Sequence, residues 1–418
     1  MVSLRQGIGL IAASFLVLNG LIGAGIFALP ARMAAQAGAF SPWIFLIFGA
    51  LMLSVVWCFG QLAARFEQTG GPVVYARESY GDFIGFQTGW LYYLARATAI
   101  AANMHVLLLY AGFLLPDVNQ GAGQIAAILV LSLLLVGVNV VGIRQAVRAL
   151  DAVTVIKLVP FLVLLGVGLS TIDLPTMPAS MPEMDLISSG ALLTLYAFIG
   201  FETVVVTSGE TSHPSRTIPR ALMLTVIAIA VFYFLVQLVY WRVLGNQSSD
   251  RAPLIELADT LMGSWGAWMI TLTAVFSVAG NLLANMISTS RLTYAMAGER
   301  NLPGIFGQLN ERYATPAFSI VFLGVLAAIM ALTGSFVYLA VASVLSRLVV
   351  YAICIGALMR FQRQDPFSLI RQWMIPVTAL LVCGWALFQS SPSEWKLLLA
   401  EGIIGTVIFL LWRRYAGR

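Results

Sequence analysis

Charge is scarce along this chain. Asp, Glu, Lys and Arg make up 10% of 418 residues, where a soluble domain carries roughly 25%. Hydrophobic residues reach 60%, and mean hydropathy is +0.91. No long polar segment is present to fold as a separate aqueous domain, so an all-α polytopic membrane protein is expected, one transmembrane domain over residues 1–418. Cysteine is also rare. Cys58, Cys354 and Cys383 all sit within apolar segments, which suits packing and not a disulfide or metal framework. An HExxH motif, a P-loop and Ser/Lys or paired-Asp constellations are missing, so no catalytic residue, metal or cofactor is expected. The arginines are spread over many short loops, not gathered into a nucleic-acid patch. Arg5 followed by an apolar run imitates a signal peptide, but the run is too long for an h-region and many more apolar runs follow. It is expected to stay as a span.

About 20 apolar residues cross the hydrocarbon of a bilayer. Such spans fall near 8–33, 42–65, 83–114, 122–143, 150–170, 187–209, 219–244, 263–294, 317–333, 336–359, 373–390 and 396–412. That gives twelve transmembrane helices, the third and eighth long enough to tilt. If the N-terminus is inside, sixteen basic residues fall in inside loops. Only Arg32, Arg242, Arg251 and Lys396 fall outside, and Arg96, Lys157 and Arg347 fall within spans, which accounts for all 23. This bias places both termini in the cytoplasm.

The first span contains LNGLIGAGIFALP, residues 18–30, with Gly20, Gly23 and Gly25 near its middle. Glycine lets a backbone leave helical geometry or lets something approach it closely. In lipid a freed backbone group is costly unless protein, water or ligand satisfies it. Close helix packing is one explanation; a broken helix that binds something is the other. The sixth span, LYAFIGFETVVVTSGE, residues 195–210, also has a mid-span glycine, Gly200, beside an acid, Glu202. Interrupted segments five helices apart suggest two five-helix repeats of opposite topology, about 6–170 and 187–360, with additional helices at about 373–412. Paired interruptions of this kind point to a substrate site at the midplane.

At these residues a family becomes recognisable. GAGIF, residues 23–27, resembles the Gly-Ser/Thr-Gly-Ile-Phe of the amino acid–polyamine–organocation (APC) superfamily. TGGPVVYARESYG (69–81), AFIGFE (197–202), ETSHPSRTIPRA (210–221) and STSRLTYAMAGERNLP (288–303) are similar to further motifs of that superfamily, in the same order, with His213 where asparagine is usual. The resemblance covers roughly residues 7–360. It implies a five-plus-five inverted-repeat transporter with broken first and sixth helices, for amino acids or related amines.

The resemblance also implies roles. A substrate carboxylate would meet the backbone of Gly23, Ala24 and Gly25, where half-helix N–H groups and a positive dipole end favour an anion. The ammonium would meet carbonyls near Ile22, Tyr196, Ala197 and Ile199. Ala24 replaces the usual Ser or Thr, so one hydroxyl contact is absent. Tyr196 would be an aromatic lid, Tyr196 and Phe198 would give an apolar to mildly polar lining, and Asn285, one turn from Asn281, would face the pocket. Lys157, one of two lysines, would stand in for the ion of sodium-coupled relatives of the fold and tie the fifth helix to the first and eighth, a coupling role. The alternative for Lys157 is a snorkelling side chain. Glu202 would form a cytoplasm-side gate with Tyr92 and Tyr351, for which ordinary packing is the alternative. Arg96 shares a helix face with Tyr92 and is placed to pair with Glu202. His105 reads as a core histidine.

The function these features imply is secondary transport of neutral L-amino acids across an inner membrane, with proton coupling or exchange. The alternative is a cationic amino acid or polyamine antiporter. A membrane enzyme lacks its constellation, and a channel would show repeated polar rings. The expected partners are an amino acid, protons and membrane lipid; a homodimer is compatible, and nucleic acid is not expected.

Overall fold

The computed structural model describes residues 8–66, 70–142, 157–172, 184–246, 252–362 and 373–416. Arg5, Arg144, Arg148, Arg251, Arg363, Arg371 and Arg418, counted above as loop charges, lie outside these residues, as does the start of the span expected at 150–170. The described residues are helical almost throughout, with one isolated bridge between Ile8 and Thr211. Fifteen α-helices are named here: α1 (Leu10–Leu21), α2 (Ala24–Ala37), α3 (Ser41–Arg65), α4 (Pro72–Tyr80), α5 (Asp82–Ala111), α6 (Gly121–Val141), α7 (Leu158–Thr171), α8 (Met184–Ala197), α9 (Glu202–Val206), α10 (Pro214–Leu244), α11 (Pro253–Gly298), α12 (Ala317–Thr333), α13 (Phe336–Gln362), α14 (Ile375–Phe388) and α15 (Pro392–Ala416).

Helix falls on each of the twelve expected segments. Seven helical stretches among the described residues are long and apolar enough to cross a bilayer, and four more helices are apolar but shorter. Proline sets several starts, since its missing N–H costs nothing in a first turn: Pro42, Pro72, Pro214 and Pro253 all sit there. The 46-residue α11 is two helices joined at Gly263, whose φ of 64° and ψ of −162° leave helical geometry. The expected eighth span therefore begins where the backbone bends.

Two interruptions shape the centre. The helix of the first span stops at Leu21 and restarts at Ala24, with Gly23 at φ −106° and ψ −145° between. The helix of the sixth span stops at Ala197 and restarts at Glu202, with Gly200 at φ 112°. The two meet back to back. A Cβ on Gly20 would lie 2.3 Å from the Gly200 carbonyl oxygen, and one on Gly200 would lie 2.3 Å from that of Gly20. Around them α3 packs along α10, and α5 packs against α11 and α13.

The glycine cluster both breaks the helix and packs it, at different residues. Gly23 is the break, and a Cβ there would make only ordinary contact with the Asn281 side chain at 3.5 Å. Gly20 and Gly25 are packing positions; a Cβ on Gly25 would stand 3.0 Å from the Cα of Ala197.

Candidate functional site

The interruption in the first span leaves backbone groups to satisfy. The Ile22 N–H reaches Leu18 and the Gly23 N–H reaches Leu21, while the Leu21 carbonyl also accepts the buried Tyr233 hydroxyl at 2.6 Å. The first turn of α2 has no side-chain cap, and Gly23, Ala24 and Gly25 line a cavity of about 100 Å³. Four unpartnered N–H groups and a positive dipole end characterise a helix N-terminus. The cavity wall thus offers fixed donors to an anionic group.

Polar side chains complete the cavity. Tyr196 donates from its hydroxyl to Asn103 (2.9 Å), and Asn103 donates to Asn281 Oδ1 (2.8 Å), which also accepts Asn285 (2.7 Å). Asn285 in turn accepts Arg96 Nη2 at 2.8 Å. Arg96 spends its other donors on Ser288 (2.5 Å), Thr289 (2.8 Å) and the Tyr92 hydroxyl (2.9 Å). Among the described residues, every acceptor of this buried guanidinium is neutral. One chain of hydrogen bonds therefore joins α8, α5 and α11 across the cavity.

Lys157 sits at the start of α7, buried. It donates to Asn19 Oδ1 at 2.7 Å and lies 3.5 Å from the Ile22 carbonyl. Asn281 donates to the Asn19 carbonyl at 3.1 Å. The ammonium is therefore turned to the break in the first span and reaches the eighth through Asn19, which does not fit a side chain that snorkels to a surface.

Glu202 is fully buried, and its partner is not the one expected. Arg347 of α13 donates from Nε to Glu202 Oε1 at 2.9 Å, forming an ion pair with both side chains buried. Oε2 accepts the Tyr351 hydroxyl at 3.1 Å and the Gly200 N–H at 2.9 Å. Arg347 also donates to the Ala95 carbonyl at 3.1 Å and to Ser343. Tyr351 thus joins the acid as expected, whereas Tyr92 bonds Arg96. Arg96 makes no ion pair with Glu202.

Of the residues expected at the substrate, Gly23, Ala24, Gly25, Tyr196, Ile199 and Asn285 line the cavity. Ile22, Ala197 and Phe198 lie beside it: Ile22 accepts Lys157, Ala197 packs on Gly25, and Phe198 packs on Tyr233 with ring centroids 5.6 Å apart. Arg96, Arg347, Asn19 and Asn103 also line it. Asn19 and Asn103 were missed from sequence; an amide in an apolar run was the only signal. His105 keeps its Nε2 without a partner among the described residues, so it is not a fully satisfied core histidine.

A cavity walled by the interrupted midpoints of two helices is the architecture of a broken-helix membrane transporter. The chain belongs to the amino acid permease family, whose model matches residues 8–393. It is similar to an uncharacterized transporter of Mycobacterium tuberculosis, at 29% identity over 96% of this chain and 90% of the relative. It is also similar to the cadaverine/lysine antiporter of Escherichia coli, at 29% identity over 74% of this chain and 71% of the relative. The family and these relatives are transporters, consistent with a multi-pass membrane protein of the APC superfamily.

Proposed function

We propose that this protein is a secondary transporter of neutral L-amino acids, working by alternating access with proton coupling or exchange, in a bacterial inner membrane with both termini cytoplasmic. The observation that carries this reading is the uncapped start of α2 opening on a cavity that holds two guanidinium groups against one nearby carboxylate. The substrate carboxylate sits against the backbone of Gly23, Ala24 and Gly25 and accepts from the N–H groups of Ala24 and Gly25, since the Gly23 N–H is bonded to Leu21. Its ammonium faces the carbonyl ends around Ile22, Tyr196, Ala197 and Ile199, with Asn285 on the opposite wall. Lys157 holds the break in the position a sodium ion takes in other transporters of this shape. Glu202 with Tyr351, and Tyr92 through Arg96, form the inner gate. The segments 6–170 and 187–360 act as the two inverted repeats.

The antiporter relative keeps a cationic substrate as the second reading. Against it, Glu202 already neutralises Arg347, and Arg96 has only neutral partners. A lysine or diamine side chain would bring a further positive charge into a low-dielectric cavity beside Arg96, which has no carboxylate to offset it. Competition in proteoliposomes tests the choice. Excess alanine, serine, leucine or methionine should block labelled uptake, and arginine, lysine and cadaverine should not. Inhibition by lysine or cadaverine with none by neutral amino acids would transfer the assignment to the cationic antiporters.

A further inference from the structure

One buried acid lies outside the cavity and its network. Glu401 is on α15, within the apolar run EGIIG, and is 5% exposed. Its backbone is fastened to α5: the Trp90 indole donates to the Glu401 carbonyl at 3.0 Å, and Gln87 donates to the Gly402 carbonyl at 3.1 Å and to Thr406 at 2.5 Å. Its carboxyl turns the other way, to α13, where Oε2 lies 2.6 Å from Ser346 Oγ.

The Ser346 hydroxyl is also 3.2 Å from the Ala342 carbonyl. It has one proton to give. If Glu401 is ionised, Ser346 can serve either the carboxylate or the carbonyl in full, and a buried negative charge is left with a single neutral donor. If Glu401 carries a proton, it donates to Ser346 Oγ while Ser346 donates to Ala342, and both contacts are made. An ionised acid inside a membrane protein ordinarily finds a cation or several donors, and neither is present among the described residues.

The helices packed against this part of α15 supply no charge to it. On α5, Arg96 and Tyr92 are bonded to each other at the cavity, Tyr93 stacks between Trp90 and Phe322, and Asp82 lies near Arg413 at the far end of α15. On α13, Arg347 and Tyr351 are bonded to Glu202, Cys354 and Arg360 face the backbone of α4, and Tyr338 is exposed. On α15 itself, Glu394 caps the local turn at Ser391, and Lys396 is more than one turn away in sequence.

We propose that Glu401 is a proton-binding site distinct from the substrate cavity, occupied in this conformation, and that it is linked to the gate through α13. Ser346 and Arg347 are consecutive residues, so the helix that receives the Glu401 proton on one side holds Glu202 on the other. Release of the proton to water leaves a carboxylate that competes with the Ala342 carbonyl for Ser346 and loosens α15 from α13. Only the link to transport rests on the function proposed above; the proton site does not.

Infrared difference spectroscopy on the purified protein in lipid reads the proton directly. At neutral pH the wild type should show the carbonyl stretch of a buried protonated carboxyl. The band should be lost in Glu401→Gln, kept in Glu202→Gln and shifted in Ser346→Ala, with folding of each variant checked by thermal melting. An unchanged band in Glu401→Gln overturns the proton site, whether or not any amino acid is transported. In proteoliposomes, uptake of the best competitor should vary with pH in the wild type and lose that dependence in Glu401→Gln. A variant profile that superposes on the wild type overturns the link to the gate.

Discussion

Substituting Glu202→Gln would leave the Arg347 guanidinium buried without its counter-ion. Breaking one side of a buried pair costs about 3–5 kcal/mol, so thermal melting in detergent should fall clearly. The double variant Glu202→Gln with Arg347→Gln should recover part of the loss; no recovery would show that the pair is not coupled. Lys157→Ala removes the donor to Asn19 and the nearest cation to the Ile22 carbonyl. Charged hydrogen bonds are worth about 1.5–3 kcal/mol each, enough for a tenfold or greater loss of uptake while the protein still reaches the membrane. Wild-type uptake rates in Lys157→Ala would contradict the coupling role. Sequence exposed these residues unevenly. Lys157 stood out because a cation within an apolar run is rare. The pairing of Glu202 did not, because Arg96 lies on the face of Tyr92 along one helix, whereas Arg347 approaches from 145 residues away, a relation that only the fold creates. Glu401 carried the same signal as Glu202, an acid beside a glycine in an apolar run, but no motif of the resemblance drew attention to it.

At the level of elements, the glycines of the first and sixth spans divide into two kinds, and substitution should separate them. Gly20→Ala and Gly200→Ala force a Cβ to 2.3 Å from a backbone oxygen, and Gly200 adds a φ of 112° that alanine rarely adopts. Both should lower the melting temperature, each by an overpacking cost of about 1–3 kcal/mol. Gly23→Ala meets only a side chain at 3.5 Å. It should melt near the wild type and lose affinity for the competing amino acid in a binding assay. Equal destabilisation by all three would mean that Gly23, too, is a packing position. The positions of the breaks were legible in sequence because glycine beside polar residues is conspicuous in an apolar helix. Which glycine breaks and which packs was not, since that depends on the neighbour each meets. The His213 position illustrates the same limit. It takes φ 48° and ψ 60° ahead of α10, a left-handed conformation that asparagine tolerates better than most residues, and asparagine is what the related motif has there.

For the whole molecule, the distribution of arginines makes a topological prediction. The three native thiols are buried, so a single introduced cysteine reports alone. Asp117 and Gln308 are both exposed and fall in loops assigned to opposite sides. Asp117→Cys should react with an impermeant maleimide from outside intact cells, and Gln308→Cys only in inverted membranes; the reverse pattern would turn the molecule over. The helical segments were legible because apolar length alone marks them. Their mutual arrangement was not, except through the resemblance. The contact between Gly20 and Gly200 carries a consequence for motion. It joins backbone to backbone, so no rotamer change can take up slack between the two interrupted helices. They are pinned like the blades of scissors. Three residues from one side of the pin is Gly23, on the cavity wall, and two from the other is Glu202, in the buried pair with Arg347. Filling the cavity can therefore be felt at the Glu202–Arg347 pair through a few peptide units, with no long relay of side chains between them.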